Sequence, residues 1–423
     1  MRLNMRERKS VIKILAVRYR TAAKKEKGVI LNEFVKLTRF HRVYARTVLR
    51  QFQKNLNQVP LVKTRKPRRR IYDVPVIRPL QEIWKILDCL CGKRLAPALK
   101  EVVPVLEKYG EIKLTALARR KLLSISPAVI DRLLASERKK LILKGRSGTK
   151  PGTLLKHQIP IRTFSDWNEN RPGFLEVDLV GHEGGNARGD FAQTLDTTDV
   201  CIGWTETQAV QNKAQLWVFQ AFQEIASRLP FPVLGMDSDN GSEFINQHML
   251  RYCQQNKITF TRSRSCRKND NCFVEQKNYS VVRRTVGYFR YDTPKELSLL
   301  NQLYRFLRLY TNFFQPTMKL LKKTRIGSKV KKWYDTPQTP YARVLHSQKV
   351  SNLVKQKLET EYKTLNPAEL KRQITRLQSQ LFETSRRKSN IQEEINLSNK
   401  TVSKKEKEIK NNQKIKTLRE DFS

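Results

Sequence analysis

The sequence predicts an α/β protein: a mixed five-stranded sheet with helices, preceded by all-α modules and followed by a basic C-terminal region. Three observations carry this. Up to about residue 140, apolar positions recur at helical spacing. From Gly173 the pattern changes to short apolar runs separated by polar turns, as strands require. The last hundred residues are again dense in Lys and Arg. At 423 residues the chain exceeds what one core normally serves, so two to four domains are expected.

Residues 1–62 read as a helical module. Ile30, Phe34 and Leu37 recur at helical spacing, and Thr38-Arg39-Phe40-His41 breaks the pattern. A second amphipathic run follows, with Tyr44 and Val48 and with Arg42, Arg46 and Arg50 on its other faces. Two short helices around a tight turn suggest a helix-turn-helix. An ordinary three-helix bundle with solvated charges fits the same pattern. Residues 63–78 form a linker, in which Lys63-Thr64-Arg65-Lys66-Pro67-Arg68-Arg69-Arg70 repels itself and stays extended. Residues 79–140 make a second helical module. There Ser126 and Pro127 have the N-cap and first-turn signature, Ile130, Leu133 and Leu134 form the buried stripe, and Arg132 lies on the same helix. Lys144 to Gly152, within 141–172, is a flexible basic connector.

Residues 173–300 carry the sheet. Phe174–Val180 is a continuous apolar run interrupted by acids, and Phe191–Thr198 and Ile202–Ala209 are further strands. Leu216, Phe219, Phe222 and Ile225 mark a helix over 213–228. Pro232–Met236 is a short strand, Glu243–Gln255 a helix, Ile258–Thr261 the fifth strand and Phe273–Arg290 the next helix. This β-β-β-α-β-α-β-α order is that of an RNase H-like fold. Residues 301–384 are a basic C-terminal region with a short helix that starts at Asn366-Pro367-Ala368-Glu369 and carries Leu370, Ile374, Leu377 and Leu381. Residues 385–423 are a Lys-rich tail, expected to be disordered or marginally helical.

The formal net charge is +45, from 84 Lys and Arg against 39 Asp and Glu. A charge of that sign demands a polyanion, and nucleic acid gains affinity by counterion release. No apolar run is long enough to span a bilayer. The start of the chain lacks the apolar segment of a secretory signal, so an intracellular protein is expected. The six cysteines form no paired CxxC pattern, and buried small hydrophobes in a reducing compartment are expected rather than a zinc site.

Three acids stand apart from this pattern. Asp178 interrupts the first strand, Asp239 lies in Met236-Asp237-Ser238-Asp239-Asn240-Gly241, and Glu275 lies in Asn271-Cys272-Phe273-Val274-Glu275. Thirty-five residues separate Asp239 from Glu275. Asp237 is a rival to Asp239, two residues earlier on the same face of an extended chain. Carboxylates on rigid elements at one sheet edge can hold hard divalent cations, and two such ions can activate a water and stabilise the leaving oxygen of a phosphodiester. Taken singly, each acid reads as a turn cap, a salt-bridge partner or a solvated helix residue. The three in this order and fold context point to chemistry.

The set resembles the acidic triad of DDE transposases and retroviral-type integrases. Segments Val29–Phe34, Phe40–Arg42, Ser126–Leu134, Asn312–Pro316 and Thr339–Tyr341 are similar to bacterial insertion-sequence transposases with an integrase core. The resemblance implies catalytic, metal-holding Asp178, Asp239 and Glu275, with two Mg²⁺ or Mn²⁺ ions. It implies DNA partners, both terminal inverted repeats and target DNA, a homo-multimer on paired ends, and a cytoplasmic, nucleoid-associated place in a bacterium. Lys268, Asn269, Lys277, Asn278, Arg283 and Arg284 become candidate DNA contacts near the metals, with Arg42, Arg46, Arg50 and Arg132 in the helical modules. Val282 occupies the position seven residues after Glu275 where many members carry Lys or Arg. Two alternatives stay open: a catalytically inactive or domesticated transposase that binds DNA sequence-specifically, and an RNase H-type nuclease.

Overall fold

The computed structural model describes residues 3–56, 71–140, 171–239, 241–263, 271–388 and 390. Lys268, Asn269, Asn240, most of the two expected linkers and the tail from 391 lie outside the described residues. The chain divides into two compact units, Met1–Ile71 and Tyr72–Ser423.

Among its described residues the first unit holds α1 (Met5–Thr21), α2 (Lys24–Thr38) and α3 (Arg42–Leu56). α2 stops where the sequence suggests. Arg39 takes the left-handed conformation at φ 57°, and Thr38 Oγ1 donates back to the Phe34 carbonyl. The buried stripe is Leu15, Ala16, Ile30, Leu31, Phe34, Ala45 and Leu49. Leu37 and Tyr44, read from periodicity as stripe positions, are exposed, and on α3 it is Ala45 and Leu49 that face inward. Arg42, Arg46 and Arg50 are exposed on α3.

The second unit opens with α4 (Val74–Ile86), α5 (Gly92–Lys108), α6 (Ala116–Leu123), α7 (Pro127–Leu133) and α8 (Ala135–Lys139). α4 starts at Val74, within the stretch assigned to the first linker. Ser126 caps α7 by accepting from the Val129 amide, and Ile130 and Leu134 are fully buried while Leu133 is half-buried. Arg132 is exposed.

The sheet comprises β1 (Phe174–Gly181), β2 (Gln193–Asp199), β3 (Thr205–Val210), β4 (Gly235–Ser238) and β5 (Thr259–Arg262), in the order β3-β2-β1-β4-β5. β1, β2 and β3 pair antiparallel, whereas β4 is parallel to β1 and β5 to β4. α9 (Gln215–Arg228) and α10 (Gln247–Gln255) connect the strands. After β5 comes α11 (Cys272–Lys277), which continues through a π-helical turn (Asn278–Arg283) into α12 (Arg284–Val286). Gly287, at φ 71°, ends this helix earlier than the expected Arg290.

The C-terminal region is more ordered than the sequence suggests. α13 (Pro294–Phe314) crosses the residue-300 boundary and carries a Thr293–Glu296 capping box. β3 is an edge strand whose outer backbone groups need partners. Asn312 of α13 gives the Thr205 amide and carbonyl both of theirs, at 2.9 and 2.8 Å, and Asn301 does the same for Ala209, at 2.8 and 3.0 Å. A hairpin of β6 (Leu320–Ile326) and β7 (Lys329–Tyr334) follows, then α14 (Pro340–His346), α15 (Asn352–Thr364) and a last helix over 367–388. Leu370, Ile374, Leu377 and Leu381 of that helix are buried in the same hydrophobic cluster as the helices from α4 onward and the sheet. Buried described residues from Val76 to Leu381 therefore share one core.

Candidate active site

β4 runs parallel to β1, and its carboxyl end, Ser238, lies beside Val177 in the middle of β1. Glu176 pairs with Asp237, and across the antiparallel neighbour Asp178 pairs with Asp196. Glu176, Asp178, Asp196 and Asp237 therefore share one face of the sheet, while Leu175, Val177 and Met236 occupy the other. α11 covers the polar face, and its first turn carries Glu275.

Two residues that the sequence reading passed over hold α11 there. The buried Glu176 Oε2 accepts from the amides of Phe273 and Val274 at 2.8 and 2.9 Å, so a β1 carboxylate caps the open N-terminus of the helix. Asn271, the residue before α11, spans to β4: its amide donates to Asp237 Oδ2 at 3.0 Å and accepts from the Asp239 amide at 3.2 Å, in the orientation that satisfies both groups. Thr261 of β5 donates to the other oxygen of Asp237. Asp237 is fully buried in this network, whereas Asp239, one residue beyond β4, is partly exposed. Asp239 Oδ1 accepts from the Gly241 amide at 2.9 Å, the turn the sequence implies.

The acids feel one another. Burial, and then the Asp239 charge, push the Asp178 carboxyl up to about 7, with Glu275 adding to the rise. Burial, with Asp237 and Glu275 adding to it against the two amide hydrogen bonds, raises Glu176 to about 8. Burial raises Asp239 too. Asp196 is raised well above the usual carboxylate range, through burial and the nearby Asp178, and neither of its buried oxygens has a hydrogen-bond partner among the described residues. In a chain of charge +45, this is a concentrated cluster of acids. Its donors are all oxygen, the set that hard divalent cations take, and a cation would relieve the repulsion that raises these groups. Asp178, Asp239 and Glu275 fit such an ion by chemistry. In this arrangement no group of three or more His, Cys, Asp or Glu side chains among the described residues is close enough to hold one.

The candidate DNA contacts around the acids separate. Asn278 points into the site, where its amide donates to Asp178 Oδ2 at 2.6 Å. Lys277 is buried; desolvation lowers it to about 8, and the Asp196 charge opposes that fall. It faces the interior rather than solvent because α11 lays that side of the helix on β2. Arg283 donates to the Gly181 carbonyl at 2.8 Å and lies over the Tyr288 ring, tying the π turn to the end of β1. Arg284 is exposed and pairs with Asp88 at 3.4 Å. The sequence signal for Glu176 was an acid two residues before Asp178 on one strand face. Nothing local marked Asn271, whose partners are distant in sequence.

This topology, a mixed five-stranded sheet in the order β3-β2-β1-β4-β5 with helices on it, is that of an RNase H-like α/β fold. The chain is 39% identical over 344 residues to the uncharacterized protein y4rM of Sinorhizobium fredii (strain NBRC 101917 / NGR234), over 81% of this chain and 96% of that protein, and it belongs to the same family. No broader protein-family profile matches it. Among solved structures it is similar to the catalytic core domain of BIV integrase, at 16% identity and a TM-score of 0.28, over 45% of this chain and 98% of that one. It is also similar to the catalytic core domain of HTLV-2 integrase in complex with magnesium, in a dimeric form, at 16% identity and a TM-score of 0.27, over 34% and 90% of the two chains. Among the described residues no helix is long and apolar enough to cross a membrane.

Proposed function

We propose that this chain is a DNA transposase of the DDE type, a polynucleotidyl transferase that cleaves the ends of a mobile element and joins the freed 3′-hydroxyls to target DNA. The observation that carries the reading is the placement of Asp178 on β1, Asp239 just past β4 and Glu275 in the first turn of α11, in a strongly basic chain. Asp178, Asp239 and Glu275 would hold Mg²⁺ or Mn²⁺, two ions in the full site. Such ions supply an activated water and a stabilised leaving oxygen. The chain's own work is positioning. Asn278 orients Asp178, while Glu176 and Asn271 fix the helix that presents Glu275 against both strands. Raised carboxyls suit a site that is neutral until cations arrive. Arg42, Arg46, Arg50 and Arg132, exposed on two helical regions, would take terminal-repeat DNA, and α2–α3 with its three-residue turn suits a helix-turn-helix. Multimers on paired ends and a nucleoid location belong to the same proposal.

A second reading has its own support: a transposase relic that occupies DNA without cutting it. The absence, among the described residues, of a carboxylate group close enough to hold a metal favours it. Strand cleavage separates the two. Labelled duplex carrying the repeats that flank the gene, incubated with Mg²⁺ or Mn²⁺, is expected to be nicked at the repeat end by wild type and not by Glu275→Gln, with both binding alike. Equal nicking by the variant removes Glu275 from catalysis. Binding without nicking by wild type establishes the relic.

A further inference from the structure

We propose that the β6–β7 hairpin is a DNA-binding ribbon that seats in the major groove of duplex DNA. This rests on the reading of the chain as a DNA protein but concerns a surface that the catalytic assignment does not use. Between Lys319 and Asp335 there is no acid, and Lys322, Lys323, Arg325, Lys329, Lys331 and Lys332 supply six cations. Every residue of β7 is exposed, and in β6 only Thr324 is half-covered, so both faces of the ribbon are open. Among the described residues none of these cations has an ion-pair partner.

The register is costly without an anion. Lys323 stands directly opposite Lys332, and like charges facing each other across a ladder destabilise it. A two-stranded ribbon is marginal alone. This one is held at its base instead. Thr317 and Gln338 exchange backbone hydrogen bonds at 2.8 and 3.1 Å, Asp335 takes the Lys319 amide, and Arg343 clamps Asp335 at 2.7 Å. Gly327, at φ 59°, makes the two-residue turn at the tip. The result is a firmly based, doubly exposed cationic strand pair.

Its dimensions fit one polyanion best. A two-stranded ribbon enters the roughly 12 Å major groove of B-form DNA, whereas the deep, narrow groove of an RNA duplex excludes it. Strand alternation gives each face cations for phosphates on both groove walls. Lys331 lies 4.9 Å over the Trp333 ring, on the face that also carries the exposed Ile326, so apolar surface is available for thymine methyls.

The test uses the full chain and a labelled 40-base-pair DNA duplex, with RNA duplex of the same sequence alongside. Affinity is measured against NaCl concentration for wild type and for Lys323→Gln/Arg325→Gln/Lys331→Gln/Lys332→Gln, with thermal melting as the fold control. Trp333→Ala is a second, charge-neutral variant. The proposal expects the slope of log affinity against log salt to fall by about one per lost phosphate contact, so by roughly three to four for the quadruple variant, at unchanged melting temperature. Trp333→Ala should weaken binding with the slope preserved. An unchanged slope and affinity overturn the ribbon and leave the transposase reading standing. Failure of wild type to bind DNA overturns both. Tighter hairpin-dependent binding of RNA duplex, or a changed sedimentation state with unaltered DNA binding, overturns it in favour of RNA or of a second copy of the chain.

Discussion

Glu176 and Asp178 stand two residues apart on β1 and share a face, yet their environments divide their work. Glu176 is fully buried with its Oε2 spent on two helix amides; Asp178 is partly exposed and coupled to Asp239 and Glu275. Glu176→Ala would leave those amides unpaired, at a cost of about 1–3 kcal/mol in stability. It should also lower kcat roughly 10- to 100-fold through displaced Glu275, with KM for DNA little changed. Glu176→Gln, which keeps an acceptor, should recover most of both. Urea melts and cleavage kinetics on the two variants decide this, and equal kcat for Ala and wild type would remove the positioning role. His182 gives a separate pH prediction. It is buried, its Nε2 lies 2.7 Å from Thr194 Oγ1, and desolvation depresses it from 6.5 to about 3. The unfolded chain therefore binds a proton between these values that the folded chain does not, so stability falls as pH drops through that window. Melting temperature followed from pH 7 to pH 4 should show this loss, and a His182→Gln variant should show a flatter profile over the same range.

Among the elements, the last helix shows what a periodic stripe can and cannot tell. The 4-3-4 spacing of Leu370, Ile374, Leu377 and Leu381 is visible in the sequence, but the surface it meets is not, since that surface is built by residues far away in the chain. All four are buried in the common core, and Lys388 binds Asp292 and Glu296 at 2.7 and 2.9 Å, anchoring the helix near the start of α13. Leu381→Ala should cost about 2–5 kcal/mol, measured as a lower urea midpoint at unchanged m-value. α13 carries a similar lesson. Its capping box is local and readable, whereas the use of Asn301 and Asn312 to close the edge of β3 depends on docking. Asn312→Ala should destabilise by about 1–3 kcal/mol by stranding the Thr205 amide and carbonyl, and hydrogen exchange at β3 should accelerate first.

For the whole molecule the charge of +45 dominates. DNA affinity should drop steeply between about 50 and 200 mM salt, and a flat response would remove the nucleic-acid reading itself. Composition alone carries that prediction, because long-range electrostatics sums over charges wherever they sit. The strands were legible in part: β1, a short and mostly apolar run, begins where it was placed, while β4 lies later, at Gly235–Ser238, which brings Asp239 to one residue past the strand end. Turn chemistry at Asp239 and the cap at Ser126 were equally local and equally readable. Tertiary structure alone decided the rest. It turned Lys277 inward over Asp196, aimed Asn278 at Asp178, set Glu176 and Asn271 beneath and before α11, and merged the second helical region, the sheet and the C-terminal helices into one core. These outcomes depend on which faces meet across long stretches of sequence, and periodicity reports that a face exists without reporting its partner.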